Sequence, residues 1–189
     1  MTPNPKENSR SYETLWNQFR AGDLDALEVI YRDHFKALYQ HGMTICPSID
    51  IVKDAIQELF TSLVQRQHSL TSVENVSFYL LKSLRNKIYD ELNSRKKTEI
   101  VHEAYKNEEL VNLVGEEIKN AEGSHQNKEQ LVSVINQLPE RQREIVMLIF
   151  FEGRSYEEVS KLMSLTVNSA YKLTWKAVNS LKKSLRQLK

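Results

Sequence analysis

The chain has 189 residues, a formal net charge of +1 and 40% hydrophobic residues, a composition that supports one large domain or two small ones. Cys46 is the single cysteine, which excludes a disulfide framework and a cysteine zinc cluster and indicates a small buried side chain instead. No apolar run approaches the roughly 18 residues of a membrane span. The first residues lack a signal peptide, so we expect a cytoplasmic protein without membrane insertion.

Few glycines and prolines and little strand-like alternation predict an all-α fold. We expect two small helical domains, residues 13–97 and 129–189, joined by an acidic linker over residues 98–128. The linker has three Lys or Arg against seven Asp or Glu and few large apolar residues, which is typical of a segment without a core of its own. Residues 1–12 are expected to form a flexible N-terminus, followed by a short helix around residues 15–20.

Capping and turn residues delimit the next helices of the first domain. Asp23 can cap a long amphipathic helix, and His41-Gly42 is expected to end it. Pro47-Ser48 then opens another helix, because proline cannot continue the preceding one and serine is a favoured cap.

The helix predicted after Pro47-Ser48 has two unlike faces at 100° per residue. One face is apolar, and the other has acidic, amide and hydroxyl groups with no cation between Asp54 and Gln65. Such a stripe fits docking against a basic protein surface, although an ordinary exposed face is equally consistent with it. The candidate docking residues are Asp54, Gln57, Glu58 and Thr61.

A polar stretch over residues 68–75 leads into a helix that begins near Val76 and ends in the basic run Arg95-Lys96-Lys97. Beside its apolar face, tyrosines alternate with cations and an amide, so that unpaired bases can stack while cations hold phosphates. Tyrosine is also common at the edge of a core helix, which is the alternative explanation. The candidate residues for single-stranded nucleic acid are His68, Ser69, Asn75, Tyr79, Lys82, Arg85, Asn86 and Tyr89.

The second domain ends in two short amphipathic helices. Ser155 can cap the first and Thr166 the second, and three or four residues join them, which predicts a helix-turn-helix. A more apolar helix precedes them, and Gly153 ends it. From Lys172 to the end of the chain there are six Lys or Arg and no acidic residue, which suits contact with phosphates.

The second helix of this motif has an apolar side and an opposite side of amide, ammonium and aromatic groups. Such groups suit a reader of the DNA major groove, whereas a structural corner of a helical bundle has no need of them. Trp175 is ambiguous, because it can also pack against the preceding helix. The candidate duplex-binding residues are Asn168, Ser169, Tyr171, Lys172, Trp175, Lys176 and Asn179.

No catalytic constellation, metal-binding spacing or phosphate-cradling glycine loop is evident in the sequence. We therefore expect no enzyme activity, no metal or other cofactor and no small-molecule substrate. The histidines are each expected at the surface; they are His34, His41, His68, His102 and His125.

Three stretches resemble the extracytoplasmic-function sigma factors, the minimal two-domain specificity subunits of bacterial RNA polymerase. "DAIQELF" (54–60) is similar to their polymerase-docking motif, and "FYLLKSLRNKIYDELNSRKK" (78–97) is similar to their helix that ends in a basic run. "LPERQREIVMLIFFEGRSYEEVSKLM" (138–163) is very close to the consensus of their C-terminal domain. Ser160 and Ser164 replace the alanine and turn glycine usual there, so the promoter sequence is not readable from the resemblance.

The resemblance implies an alternative sigma factor. Its N-terminal domain, region 2, docks on the β′ clamp helices of core RNA polymerase and captures the melted −10 element of the promoter. Its C-terminal domain, region 4, reads the −35 element as a duplex and lies at the β flap. The linker threads through the core enzyme, which alone carries out polymerisation. An anti-sigma factor is a further implied partner, since such proteins often have one.

Two other functions fit parts of the sequence. A stand-alone helix-turn-helix regulator, which binds an operator without polymerase, explains residues 129–189 but leaves the two polar stripes of the first domain without a purpose. An adaptor that binds only proteins has no affinity for DNA, even when polymerase is present.

Overall fold

The computed structural model describes residues 5–98 and 125–187, and within these ranges the predicted all-α fold is confirmed, with no strand. No helix in the described ranges combines the length and the apolar character that crossing a membrane requires. The helices are α1 (Pro5–Arg20), α2 (Leu24–Ile45), α3 (Ile49–Gln65), α4 (Val76–Thr98), α5 (His125–Asn136), α6 (Glu140–Val146), α7 (Tyr156–Leu162) and α8 (Val167–Gln187), with a 3-10 turn at Gln67–Ser69 and a π turn at Met147–Phe151.

The chain divides into two compact units. The first consists of Met1–Gly42 and Ile49–Ile100, and the second of Met43–Ser48 and Val101–Lys189. The predicted acidic linker, residues 98–128, lies largely outside the described residues. Helix α5 begins inside this predicted linker, at His125.

Helices α1, α2, α3 and α4 of the first unit pack around one apolar core, and α4 contacts both α1 and α3. Asp23 caps α2 as predicted, because its Oδ1 accepts hydrogen bonds from the backbone N–H groups of Asp25 (3.0 Å) and Ala26 (3.3 Å). The largest fully buried side chains of this unit include Trp16, Phe19, Ile30, Leu38, Ile56, Leu63, Leu80, Leu84 and Ile88.

Helix α1 is longer than the short helix predicted around residues 15–20. It begins at Pro5 and therefore includes most of residues 1–12, for which a flexible N-terminus was predicted. Proline is well suited to the first turn of a helix, where its missing N–H has no partner to lose. No glycine or further proline interrupts the sequence between Pro5 and Arg20, so the helix continues.

Helix α2 does not end at His41-Gly42, contrary to the prediction, but continues to Ile45. Gly42 instead serves a close approach between helices, because a Cβ at this position would lie 2.6 Å from Val52 Cγ1 and 3.3 Å from Ile88 Cδ1. The glycine that suggested a helix end is therefore a packing residue, where α2 meets the apolar faces of α3 and α4.

Gly42→Ala is expected to destabilise the first unit. Overpacking a core costs about 1–3 kcal/mol, whereas Ala gains about 1 kcal/mol over Gly within a helix, so we expect a net loss of up to about 2 kcal/mol. Urea unfolding followed by the fluorescence of the buried Trp16 measures this loss. The double variant Gly42→Ala/Val52→Ala is the control, since removing the clashing methyl groups should make the two effects clearly non-additive.

The expectation that each histidine lies at the surface is wrong for His34 and His41, which are buried. The ring of His34 is satisfied inside the first unit: Nδ1 donates to the carbonyl oxygen of Ile30 (2.8 Å), and Nε2 lies 2.7 Å from Ser77 Oγ. These two bonds connect α2 to the first turn of α4. His102 lies outside the described residues.

In the second unit, the long helix α8 packs against α5, α6 and α7. Gly153 has a φ of 64° and follows the π turn, as expected of a residue that ends a helix. The apolar core of the second unit includes Val134, Ile135, Leu138, Ile145, Val146, Leu148, Val159, Leu162, Met163, Ala170 and Ala177.

Candidate nucleic-acid and polymerase interfaces

The predicted docking residues lie on the solvent side of α3. Its apolar residues, such as Ile56 and Leu59, are buried against the rest of the first unit, which turns the acidic and amide positions outward. Lys87 of α4 reaches this face and forms an ion pair with Glu58, at 2.5 Å between Nζ and Oε1. All four predicted docking residues are exposed: Asp54, Gln57, Glu58 and Thr61.

A partly apolar surface groove of about 560 Å³ adjoins this face, between α2 and α3. The Tyr31 ring stands edge-on against the Phe60 ring, with centroids 4.9 Å apart, and 5.5 Å from the Phe35 ring. Tyr31 and Val64 are each more than 40% exposed, although both are large apolar side chains. The lining comprises Tyr31, Phe35, Lys53, Ile56, Gln57, Phe60, Thr61 and Val64, so two predicted docking residues belong to the groove.

The polar stretch between α3 and α4 begins with the 3-10 turn at Gln67–Ser69 and then runs as irregular backbone to the start of α4. His68 and Ser69 are exposed. Asn75, also exposed, caps α4, because its Oδ1 accepts a hydrogen bond from the Phe78 N–H at 2.8 Å. Residues 68–75, in which we place the predicted capture of an unpaired base and which we call the capture loop, are therefore a largely solvent-facing segment that ends at the cap of α4.

The predicted stripe on α4 divides into exposed and supporting residues. Asn86 is exposed, and Tyr79, Lys82 and Tyr89 are half-buried. Arg85 differs from the others: it is only 6% exposed, and its guanidinium carbon lies 4.5 Å above the centre of the Tyr89 ring. A cation stacked on an aromatic ring fixes the orientation of that ring. The position of Arg85 thus suits support of Tyr89 better than direct contact with a phosphate.

The second unit contains the predicted helix-turn-helix, formed by α7 and α8. Ser155 and Glu158 make a reciprocal capping box at the start of α7. Thr166 Oγ1 accepts from the Ser169 N–H (3.1 Å) at the start of α8. Between the helices Ser164 adopts a φ of 52°, the left-handed conformation that a glycine would adopt more easily.

Helix α8 buries one side and presents the predicted DNA-binding side to solvent. Trp175 is 68% exposed, so most of its side chain is not covered by the preceding helix, in contrast to the alternative of a packed indole. The Tyr171 ring is stacked on the Tyr156 ring of α7, with centroids 3.7 Å apart and 22° between the ring planes. All seven predicted residues of this face are exposed: Asn168, Ser169, Tyr171, Lys172, Trp175, Lys176 and Asn179.

The sequence analysis missed residues that reach these surfaces from distant positions. Lys87 lies 29 residues from Glu58 in the chain, and Trp16 and Arg20 of α1 bind carbonyl groups of the capture loop more than 40 residues away. No local pattern signals such contacts. In residues 5–98 and 125–187, no three His, Cys, Asp or Glu side chains gather as a site for a metal ion.

Solved structures share this fold. The sigma factor RpoE from Bartonella quintana, in complex with the anti-sigma factor NepR, is 19% identical, with a TM-score of 0.59 over 85% of this chain and 96% of that chain. CnrH, in complex with the cytosolic domain of CnrY, is 18% identical, with a TM-score of 0.63 over 93% of this chain and 97% of that chain. A search of curated proteins finds no significant match.

Two family models match the chain, one in each predicted domain. The model of Sigma-70 region 2 matches residues 30–98, which include the predicted docking residues of α3, the loop after α3, and α4. The model of Sigma-70, region 4 matches residues 128–181, which include the helix-turn-helix. Together the two matches span more than half of the 189 residues. The chain therefore belongs to the sigma-70 family and has the region 2 and region 4 domains of an extracytoplasmic-function sigma factor.

Proposed function

We propose that this sigma factor binds core RNA polymerase through α3, captures the melted −10 element with α4 and the preceding loop, and reads the −35 element with α8. The observation that carries the proposal is the recognition side of α8, where seven polar, cationic and aromatic side chains are all exposed. Groups of this kind contact base edges and phosphates in the major groove.

The polymerase contact uses the exposed acidic and amide stripe of α3. Carboxylates at Asp54 and Glu58 attract a basic partner surface, such as the β′ clamp helices. The adjoining groove adds apolar surface to this contact, because the side chains of Tyr31 and Val64 are partly exposed there. A combination of apolar centre and charged rim is typical of specific protein interfaces. The second unit is proposed to lie at the β flap.

The −10 contact uses the half-buried tyrosines and Lys82 of α4 together with Asn86. Flat rings at Tyr79 and Tyr89 offer stacking surfaces for unpaired bases, and Lys82 offers a phosphate contact. The exposed residues His68 and Ser69 belong to the loop that precedes α4 in the sequence, and they shape a pocket for a flipped base. The protein itself makes or breaks no bond, since members of this family direct the core enzyme rather than catalyse.

Run-off transcription with purified core polymerase tests the whole proposal. Core enzyme with the protein should initiate at defined promoters, whereas neither component should do so alone. Promoter binding by the protein without polymerase would favour a stand-alone regulator. A complex with core that shows no selectivity for any promoter would favour an adaptor. The decisive reagent is a barcoded promoter library with randomised −35 and −10 elements, whose transcripts reveal base selection in each element.

Asn168→Ala is expected to alter base selection in the −35 element, because loss of a base contact costs about 1–3 kcal/mol at the base concerned. Lys176→Ala should instead weaken transcription from all −35 sequences alike and reduce the salt dependence of promoter binding, as loss of a phosphate contact does. The library measures both effects. Lys36→Ala removes an exposed cation from α2 and serves as the control. Unchanged −35 selection in Asn168→Ala, together with parent-like promoter binding and salt dependence in Lys176→Ala, would contradict the assignment.

We further propose an anti-sigma factor among the partners, together with core polymerase and promoter DNA. The support is the similarity in fold to RpoE, which was solved with the anti-sigma factor NepR, and to CnrH, which was solved with the cytosolic domain of CnrY. The site of action is proposed to be the cytoplasm, where core polymerase works.

A further inference from the structure

Side chains of α1 hold the loop between α3 and α4 by its backbone. Trp16 Nε1 donates to the Thr71 carbonyl oxygen (2.9 Å), and Arg20 Nε donates to the Leu70 carbonyl oxygen (2.7 Å). In the reverse direction, Gln67 Nε2 donates to the Phe19 carbonyl oxygen at 2.5 Å. Three hydrogen bonds therefore connect one helix to a loop that has no regular structure beyond its 3-10 turn.

The two donors of α1 are themselves fixed in place. Trp16 is completely buried, and its ring packs edge-on against the Phe19 ring at 6.0 Å. The guanidinium of Arg20 also donates to Asn17 Oδ1 through Nη1 (3.0 Å), within the last turn of the same helix. An anchored donor holds its acceptor more firmly than a mobile one, because little side-chain freedom is left to lose.

Trp16 also contacts α4, which together with the loop forms the proposed −10 site. Its ring lies edge-on against the Tyr79 ring of α4, with centroids 5.1 Å apart and planes at 61°. One buried side chain thus contacts both the loop backbone at Thr71 and the first tyrosine of the stacking stripe. This single indole therefore links the loop to the stripe.

We propose that Trp16 and Arg20 are positioning residues that order the loop over residues 67–73 for selective capture of an unpaired −10 base. This inference rests on the proposed function of the loop. A free loop would have to be ordered when DNA binds, and each residue that becomes ordered loses conformational entropy. The hydrogen bonds from α1, which we call the tethers, order the loop when the protein folds, so that no ordering cost is subtracted from the free energy of DNA binding. The free energy of the base contacts then contributes to discrimination between bases. Exposed side chains such as Ser69 and Thr71 remain available to DNA, because α1 binds the backbone carbonyls of Leu70 and Thr71 and the side chain of Gln67.

Conservative variants separate this role from a general structural one. Trp16→Phe keeps an aromatic ring against Tyr79 but removes the N–H that binds Thr71, and Arg20→Met keeps the length of the side chain but removes the guanidinium. Arg32→Met is the control, because Arg32 is an exposed arginine of α2 whose ion pair is with the neighbouring Asp33. Each variant is assembled with core polymerase and given the barcoded promoter library.

For the variant Trp16→Phe/Arg20→Met we expect base selection in the −10 element to fall about tenfold, since each lost bond contributes on the order of a fewfold to tenfold. Selection in the −35 element and affinity for core polymerase should stay within about twofold of the parent and of Arg32→Met. Amide hydrogen exchange of the full-length chain should become faster over residues 68–73. Faster exchange with unchanged −10 selection would mean that the tethers only stabilise the fold, and it would overturn the inference.

Two further outcomes are equally decisive. Unchanged exchange in the loop would show that the tethers do not order it, which also overturns the inference. If the double variant fails to bind core, Trp16→Phe alone is tested, and it must lower −10 selection while leaving −35 selection intact. If the parent protein selects no promoter with core polymerase, the proposed function itself is contradicted. That result differs from failure of this inference, which concerns only the −10 preference of the variants.

Discussion

Reversing two charges on the exposed face of α3, by Asp54→Lys and Glu58→Lys together, is expected to weaken binding to core RNA polymerase about 100-fold or more. Hydrogen bonds to charged groups contribute about 1.5–3 kcal/mol each, and every 1.4 kcal/mol is a factor of ten in affinity. The reversed charges also repel a basic partner surface, which adds to the loss. Titration of the folded variant with core enzyme, by calorimetry or native gel, measures the affinity.

The variant should remain folded, because both side chains are exposed and the Glu58–Lys87 pair is a surface ion pair of small energetic value. A matched control carries the same charge change at two other exposed acidic residues of the first unit, Glu13→Lys and Asp25→Lys. Parent-like affinity in the control together with a large loss in the α3 variant locates the polymerase contact. Equal affinity in parent and α3 variant would remove this face from the interface.

The groove beside α3 shows what helical periodicity cannot predict about this surface. Periodicity along α2 and α3 assigns each side chain to an apolar or a polar side, and by this criterion Tyr31 and Phe35 belong to the apolar side of α2. It does not tell whether two facing apolar sides close completely against each other. Here they leave a gap of about 560 Å³, which exposes part of the Tyr31 ring. Such a gap depends on how the helices cross and is visible only in three dimensions.

Among the sequence-based predictions, those of helix caps agree best with the structure. The caps at Asp23, Ser155 and Thr166 lie where they were predicted, because a cap requires only the two or three residues that follow it. Gly42 misled the prediction for the opposite reason. Its effect comes from Val52, ten residues away on the next helix, and close packing there outweighs the weak helix preference of glycine.

The proposed −10 surface has features of both kinds, local and long-range. The alternation of tyrosine and cation along α4 was visible in the sequence, but the burial of Arg85 and its stacking on Tyr89 were not. The tethers from Trp16 and Arg20 were also invisible, since they join residues 50 or more positions apart. Sequence patterns thus found the residues that face the DNA in our proposal, whereas the structure was needed to find those that hold them.

Removing the proposed stacking and phosphate contacts of α4, by Lys82→Met and Tyr89→Leu together, is expected to lower transcription from duplex promoters about 100-fold. Stacking of a base on an aromatic side chain contributes about 1–3 kcal/mol, and Lys82 adds a phosphate contact. Flipping a base out of the duplex costs a few kcal/mol that these contacts must offset. Leucine and methionine keep apolar bulk beside the partly buried positions, so that Arg85 retains cover where the Tyr89 ring is lost.

The same variant should recover most of its activity, to within about tenfold of the parent, on a template that is already open as a bubble over the −10 element, because flipping then costs little. Its affinity for core polymerase should be unchanged, since the docking residues lie on α3. The Asp54→Lys/Glu58→Lys variant provides the reciprocal control: it should be equally defective on duplex and bubble templates, because it fails before promoter opening. An α4 variant with the same defect on both templates, or with reduced affinity for core, would show that this stripe is not the surface that holds the open strand.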